Sequence, residues 1–130
     1  LRVVLVGGGE EDHRLAEELR GLLPDAINLV NRCTLSESAA WICTAQALVG
    51  SDSGPAHIAG AAGIPTLVPF GPTQPWATRP WGPKVAVVRN ESLDCLECLA
   101  WHCPKPNHPC MNELDPDRLL QALLDLMETP

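Results

Sequence analysis

Apolar and polar positions along this chain fall into blocks that alternate between two periods. Residues 2–6, Arg2-Val3-Val4-Leu5-Val6, form a largely β-branched run ending in Gly7-Gly8-Gly9, the pattern of a strand buried on both faces. Over residues 12–23 the apolar positions Leu15, Ala16, Leu19, Leu22 and Leu23 recur at helical spacing, and Pro24-Asp25 stops that helix. Residues 26–30 read as a second short strand. Thr34-Leu35-Ser36-Glu37 fits a capping box, in which the Thr34 hydroxyl takes the Glu37 amide and the Glu37 carboxylate reaches back. The helix it opens carries Leu35, Ala39, Ile42 and Ala45 on one face. Residues 47–50 are a third strand, and Pro55 suits the first turn of a helix over residues 55–62. That helix is built of small residues, which allow close approach to a sheet. Gly63 suits a left-handed position after it, and Pro65 blocks its continuation. Residues 66–70 and 85–89 are the fourth and fifth strands. Asp115-Pro116-Asp117 then opens a last helix with Leu119, Leu120, Leu123, Leu124 and Met127 in one stripe.

Strand and helix in alternation predict an α/β fold, a parallel sheet with helices on both faces, since each right-handed crossover needs a helix. In open parallel sheets ligands sit beyond the carboxyl ends of the strands. Three loops leave such ends, at residues 7–12, 50–57 and 71–83, and function is expected where they converge. A further loop, residues 90–113, lies within the same single domain, 1–130.

Composition narrows the class. With 45% hydrophobic residues in 130, the chain is globular and long enough for one domain. Nine Lys and Arg against sixteen Asp and Glu leave a net charge of −7, so the chain as a whole repels nucleic acid and anionic membranes. No apolar stretch approaches the roughly 20 residues of a membrane span, and no signal peptide is seen. Because Leu1 leads straight into a strand pattern, the chain reads as a piece of something longer. Six cysteines without a secretory signal point to a reducing compartment rather than to a disulfide framework. Cys33 and Cys43 stand alone and read as small buried hydrophobes.

The sharpest chemistry lies in the second loop. Asp52-Ser53-Gly54-Pro55-Ala56-His57 at a helix start offers unsatisfied N–H groups and the positive end of the helix dipole to an anion. Gly54 permits close backbone approach, Ser53 adds a hydroxyl, and His57 adds a ring N–H one turn in. That set suits a diphosphate; the opposing reading is that Asp52 or Ser53 caps the helix and His57 packs. In the first loop, Glu10, Glu11 and Asp12 are either acceptors for ribose hydroxyls or solvated acids that favour the dipole; the glycine spacing is not a dinucleotide fingerprint. The third loop holds Trp76, Arg79 and Trp81 among prolines, as a pocket wall that stacks on a sugar or base, or as cover for the core. Cys95-x2-Cys98-x4-Cys103-x6-Cys110 supplies four soft ligands, with His102 and His108 alongside. Structural zinc, an iron–sulfur cluster, disulfides and uncoordinated thiols all fit that set. Filled, such a site has no open position, so its role is structural.

The run Ser51-Asp52-Ser53-Gly54-Pro55-Ala56-His57-Ile58-Ala59, followed by Phe70-Gly71-Pro72-Thr73 and Trp81-Gly82-Pro83, resembles glycosyltransferase family 9, the lipopolysaccharide heptosyltransferases. The cysteine segment ending in Cys110-Met111 is similar to many members and absent from others. The resemblance implies two Rossmann-like domains facing across a cleft, with this chain as the C-terminal, donor-binding half of a glycosyltransferase B fold. It implies that Asp52, Ser53, Gly54 and His57 hold the ribose and diphosphate of an ADP-sugar. By a looser match, Asp12 falls near a nucleoside-binding acid and Cys33 near the adenine. The catalytic carboxylate and most of the lipopolysaccharide-core acceptor site belong to the N-terminal half, so no catalytic residue is expected in this segment. The resulting expectation is a cytoplasmic enzyme, extending to the face of the inner membrane, that needs no cofactor for transfer and carries zinc only as a staple. The rival expectation is a non-catalytic, metal-stapled module that binds a nucleotide or a partner protein.

Overall fold

The elements follow one another in the order that the periodicities predict. The computed structural model describes residues 1–128. Strand β1 (Val4–Leu5) leads through helix α1 (Glu10–Arg20) to β2 (Ile27–Asn28), and α2 (Leu35–Cys43) leads to β3 (Leu48–Val49). Helix α3 (Gly54–Ala61) joins β3 to β4 (Thr66–Pro69), and the short α4 (Pro75–Thr78) precedes β5 (Val85–Val88). Helices α5 (Pro109–Asn112) and α6 (Pro116–Glu128) complete the chain. All the strand pairings are parallel, as expected, with Leu48 beside Thr66 and Thr66 beside Val85.

One expectation needs correction. The strands form two sheets, β1-β2 and β3-β4-β5, rather than one. A cavity of about 770 Å³ lies where β1 and β3 would otherwise pair, with Val4, Val6, Leu48 and Val49 in its walls. Residues 2–6 are therefore not buried on both faces; Val3 is exposed and Val4 to Val6 are half-buried. The β-branched run found the strand, but only β2 pairs with it. Amides of Ile27, Leu29 and Asn31 bond the carbonyls of Val3, Leu5 and Gly7. Helix α1 shows the same shortfall: Ala16 is buried, whereas Leu15, Leu19 and Leu22 are exposed, and the helix ends at Arg20.

The core is centred on β4. Thr66, Leu67 and Val68 are at most 1% exposed, and successive strand side chains point to opposite faces, so both faces of β4 are covered. Helix α3 supplies one cover, with Ala56 packed on Val68 and Phe70 and flanked by Leu48 and Val87. Its small residues permit unusually close contact. A Cβ on Gly82 would lie 2.0 Å from the Gly60 carbonyl oxygen, so two backbones touch there. Gly63 adopts φ 74°, the left-handed stop read from the sequence. Helix α6 contacts β4 and β5; Leu119 and Leu123 are half-buried, while Leu120 and Leu124 face outward.

Local signals of capping hold well. The Thr34 hydroxyl accepts from the Glu37 amide at 3.3 Å, and the Glu37 carboxylate accepts from the Thr34 amide at 2.8 Å. Asp115 accepts from the Asp117 amide at 3.0 Å. Helices α4 and α5 lie inside stretches expected to be loops; each opens on a proline, Pro75 and Pro109, which marked their starts.

Two stability outcomes follow, both read as urea midpoints. Gly82→Ala forces the two touching backbones apart and should destabilise by about 1–3 kcal/mol, whereas Gly54→Ala, with nothing within 4 Å of the new Cβ, should not. Thr34→Ala should cost about 1 kcal/mol at neutral pH. The Glu37 carboxyl is held below its ordinary 4.5, first by the Thr34 amide and then by the hydroxyl. The capping contribution is therefore complete above that pH and is lost as pH falls through the lower folded-state value.

Candidate functional site

Short backbone distances fix the first loop. Gly9 stands at φ 99°, and the Asn31 side chain clamps it, accepting from its amide at 2.7 Å and donating to its carbonyl at 3.1 Å. The Asp12 carboxylate folds back onto the glycines: it accepts from the Gly8 amide at 2.8 Å and lies 2.5 Å from where a Gly7 Cβ would stand. Asp12 thus orders its own turn, and Glu11 pairs with Arg14 in solvent at 2.6 Å.

The start of α3 is built in the opposite way. Ser53 is extended, its carbonyl accepts from the Ala56 and His57 amides at 3.1 and 3.3 Å, and its hydroxyl donates to the Ser51 carbonyl at 3.2 Å. No side chain caps this helix, and its first turn carries no acid. Asp52 is turned aside: Thr78 donates to one carboxylate oxygen at 2.6 Å, and the other lies 3.6 Å from Nε2 of His57. The His57 side chain is 47% exposed and does not pack in the core. The capping role that would have made this stretch purely structural is absent. The helix instead opens with N–H groups of Ser53 and Gly54, a bare positive dipole end, and a histidine one turn in.

The structure brings Asp12, Cys33 and Ser53 to one cavity, the same 770 Å³ space between β1 and β3, with Trp41 also in its wall. Asp52, Gly54 and His57 are outside that lining, Asp52 just before Ser53 and the other two on the turn that Ser53 begins. Cys33 is half-buried and Cys43 exposed, so neither is the fully buried hydrophobe expected. An exposed helix end and a cavity wall took the places that the sequence pattern assigned to the interior.

The third loop presents its tryptophans to solvent: Trp76 is 76% and Trp81 84% exposed, which removes them as cover for the core. Its contribution to the site is Thr78, which the sequence reading missed; the Gln74-Pro75 helix start was the available signal. The loop is held from behind by the cysteine segment. The Trp76 indole donates to Glu97 at 3.2 Å, and Arg89 pairs with the same carboxylate at 2.7 Å. Arg89 first and Trp76 second hold the Glu97 carboxyl below the usual range. Burial pushes the Cys110 thiol up, and Cys103, Cys95 and Cys98 add to that shift, so all four sulfurs share one neighbourhood. They do not form a closed coordination sphere: among the described residues no three His, Cys, Asp or Glu side chains are disposed to hold a metal ion as they stand. No helix among those residues is long and apolar enough to cross a membrane.

Comparison with known proteins gives this geometry a family. The model described as "Glycosyltransferase family 9 (heptosyltransferase)" matches residues 1–108. The chain is 27% identical over 130 residues to lipooligosaccharide heptosyltransferase 2 of Campylobacter jejuni, covering 97% of this chain and 41% of that protein. It superposes on the Escherichia coli ADP-heptose lipopolysaccharide heptosyltransferase II with a TM-score of 0.78 and 26% identity, covering 97% of this chain and 36% of that one. An Escherichia coli heptosyltransferase, WaaC, solved with ADP, shares the fold at a TM-score of 0.72 and 20% identity, covering 97% of this chain and 34% of that one. The chain therefore spans about two-fifths of the length of the curated relative it matches. Over that span it has the parallel α/β architecture of these enzymes, and it belongs to glycosyltransferase family 9.

Proposed function

We propose that this chain is the donor-binding part of a heptosyltransferase that transfers a sugar from an ADP-sugar, ADP-heptose in the first instance, to a lipopolysaccharide-core acceptor. One observation carries the reading: α3 starts beyond β3 without a side-chain cap and without an acid, beside an exposed histidine. Bound ADP-sugar would set its diphosphate against the Ser53 and Gly54 amides, with His57 as a further donor. Its adenosine would enter the cavity lined by Asp12 and Cys33. As the glycosidic bond to the diphosphate breaks, negative charge grows on the leaving oxygen. Donors fixed in the backbone then stabilise it without reorganising. The acceptor hydroxyl would lose its proton to a carboxylate outside this segment and attack the anomeric carbon with inversion. The names of the relatives support this choice of donor and acceptor, since one solved neighbour is called an ADP-heptose enzyme and another was solved with ADP. The cytoplasm, where nucleotide sugars are at hand, is the compartment this reading requires.

The competing reading, a non-catalytic module, is separated by binding and turnover. Calorimetry should show ADP binding that Gly54→Val and His57→Ala each weaken by about tenfold, the worth of one hydrogen bond to a charged group. ADP affinity unchanged in both variants would refute the placement. Thr78→Val should also weaken binding, by releasing Asp52 from its 2.6 Å hydrogen bond, while Thr78→Ser should restore it. An enzyme additionally requires sugar transfer by the whole protein from an ADP-sugar; nucleotide binding with no transfer would favour the module.

A further inference from the structure

Cys110 is the anchor of a cluster that the donor site does not use. It is 5% exposed, on α5, and so tightly placed against Gly71 that a Cβ there would lie 2.5 Å from its sulfur. Cys95, Cys98 and Cys103 come from the preceding turns, none of them fully buried. From these four soft donors we propose that Cys95, Cys98, Cys103 and Cys110 bind one zinc-class divalent ion, which staples residues 95–110 to the beginning of the 71–83 loop.

Two features favour this over four idle thiols. The first is the backbone. Glu97 and Leu99, on either side of Cys98, have φ 60° and 55°, unfavourable for their side chains, and Asn107 and His108, of more tolerant types, stand at 64° and 46° just before Cys110. Such conformations persist only where the surroundings over-determine them. Within residues 90–113, only Pro109 and Cys110 are buried, so packing supplies little of that constraint. The second is charge. Neutral thiols attract one another weakly, and thiolates repel. A dication turns the same set into a mutual attraction, and the four-sulfur tetrahedral site is the closed, structural kind. Binding forms four zinc–sulfur bonds and sends up to four thiol protons to solvent, leaving two net negative charges. Lys105, paired with Asp94 next to Cys95 in the chain, contributes a positive charge to the surroundings of the site. As they stand, no three His, Cys, Asp or Glu side chains among the described residues are disposed to hold an ion, so binding has to draw the less buried Cys95, Cys98 and Cys103 toward Cys110.

The staple has a consequence for the donor site, which rests on the reading given above. The Glu97 and Leu99 amides bond the Gly71 and Pro72 carbonyls at 2.9 and 2.8 Å. Glu97 also holds Trp76, which shares α4 with Thr78, the partner of Asp52. An ion that fixes the turn after Cys95 therefore steadies the wall of the nucleotide site.

Metal analysis of the protein purified without chelator tests the ion directly. The expected result is about one zinc per chain, lost in Cys98→Ala and Cys110→Ala and kept in Cys43→Ala, which lies outside the cluster. Cobalt exchanged into the wild type should give the intense visible bands of tetrahedral thiolate, a readout that survives even if the Cys110 variant fails to fold. Zinc undiminished in Cys98→Ala and Cys110→Ala, absence of metal, iron with labile sulfide, or a mass lower by two hydrogens per cysteine pair would each overturn the proposal. ADP affinity is measured on the same samples. Removal of zinc should weaken it several-fold; zinc binding with ADP affinity unmoved overturns the link between the loops. If zinc binds and ADP binds to no form, the donor reading fails and the metal site stands.

Discussion

The close seat of α3 on β4 decides where everything else can be. Ala56 and Ala59 are both fully buried beneath it, and no larger side chain stands between helix and strand at those positions. Only residues 50–53 separate the end of β3 from the start of α3, so the helix cannot slide along the sheet. Its N-terminus is therefore pinned at the carboxyl end of the strands by apolar packing and by this short link. The same contact seats the third loop, because Gly60 meets Gly82 backbone to backbone. Bulk added at either glycine would move α3 and the loop that carries Thr78 together. Packing in the core and placement of the donor groups are one constraint.

That constraint explains how a chain of net charge −7 can offer a place to an anion. The attraction is made of backbone dipoles, which are local and do not depend on the overall charge. Helices α1 and α3 show the difference. Helix α1 begins with Glu10, Glu11 and Asp12, and Asp12 answers the Gly8 amide, so its positive end is already balanced from within the chain. Helix α3 begins with Gly54 and Pro55, and nothing balances it. Asp52, the carboxylate next to Ser53 in the chain, is drawn away to Thr78. A carboxylate free to swing onto the Ser53 and Gly54 amides would compete with the diphosphate proposed there; Asp52 is instead hydrogen-bonded to the third loop.

How much of this was legible in the sequence depended on whether the signal was local. The capping box at Thr34, the left-handed Gly63 and the proline at the start of α3 are each decided by neighbours within four residues, and each appears as read. The uncapped state of α3 was left open in the sequence because Asp52 and Ser53 are both good caps. What decided it was Thr78, 26 residues away, inside a stretch that looked like plain loop. The β-branched run at residues 2–6 likewise announced a strand but not its partners. Burial on both faces needs a neighbour on each side, and β1 has only β2. The leucines of α1 and Cys33 follow from that gap, since they border a cavity where a continuous sheet would have covered them.

The third loop is the place where these separate influences meet. Asp52 is held by Thr78, Thr78 sits on α4, and α4 is tied through Trp76 to Glu97, which Arg89 at the end of β5 pins in turn. Three side-chain contacts thus lead from the sheet, around the back of the loop, to the turn that opens α3. None of them is buried enough to be strong singly; exposed ion pairs contribute little. Their effect is to remove freedom from a segment whose prolines have already removed much of it. Pro80 anchors the far end of the loop in the core, but Trp76 and Trp81 are directed to solvent, so the α4 stretch between depends on these tethers for its shape. In the donor site proposed above, a wall segment set by tethers rather than by packing can be tuned from the cysteine side without disturbing the core around Val68 and Phe70.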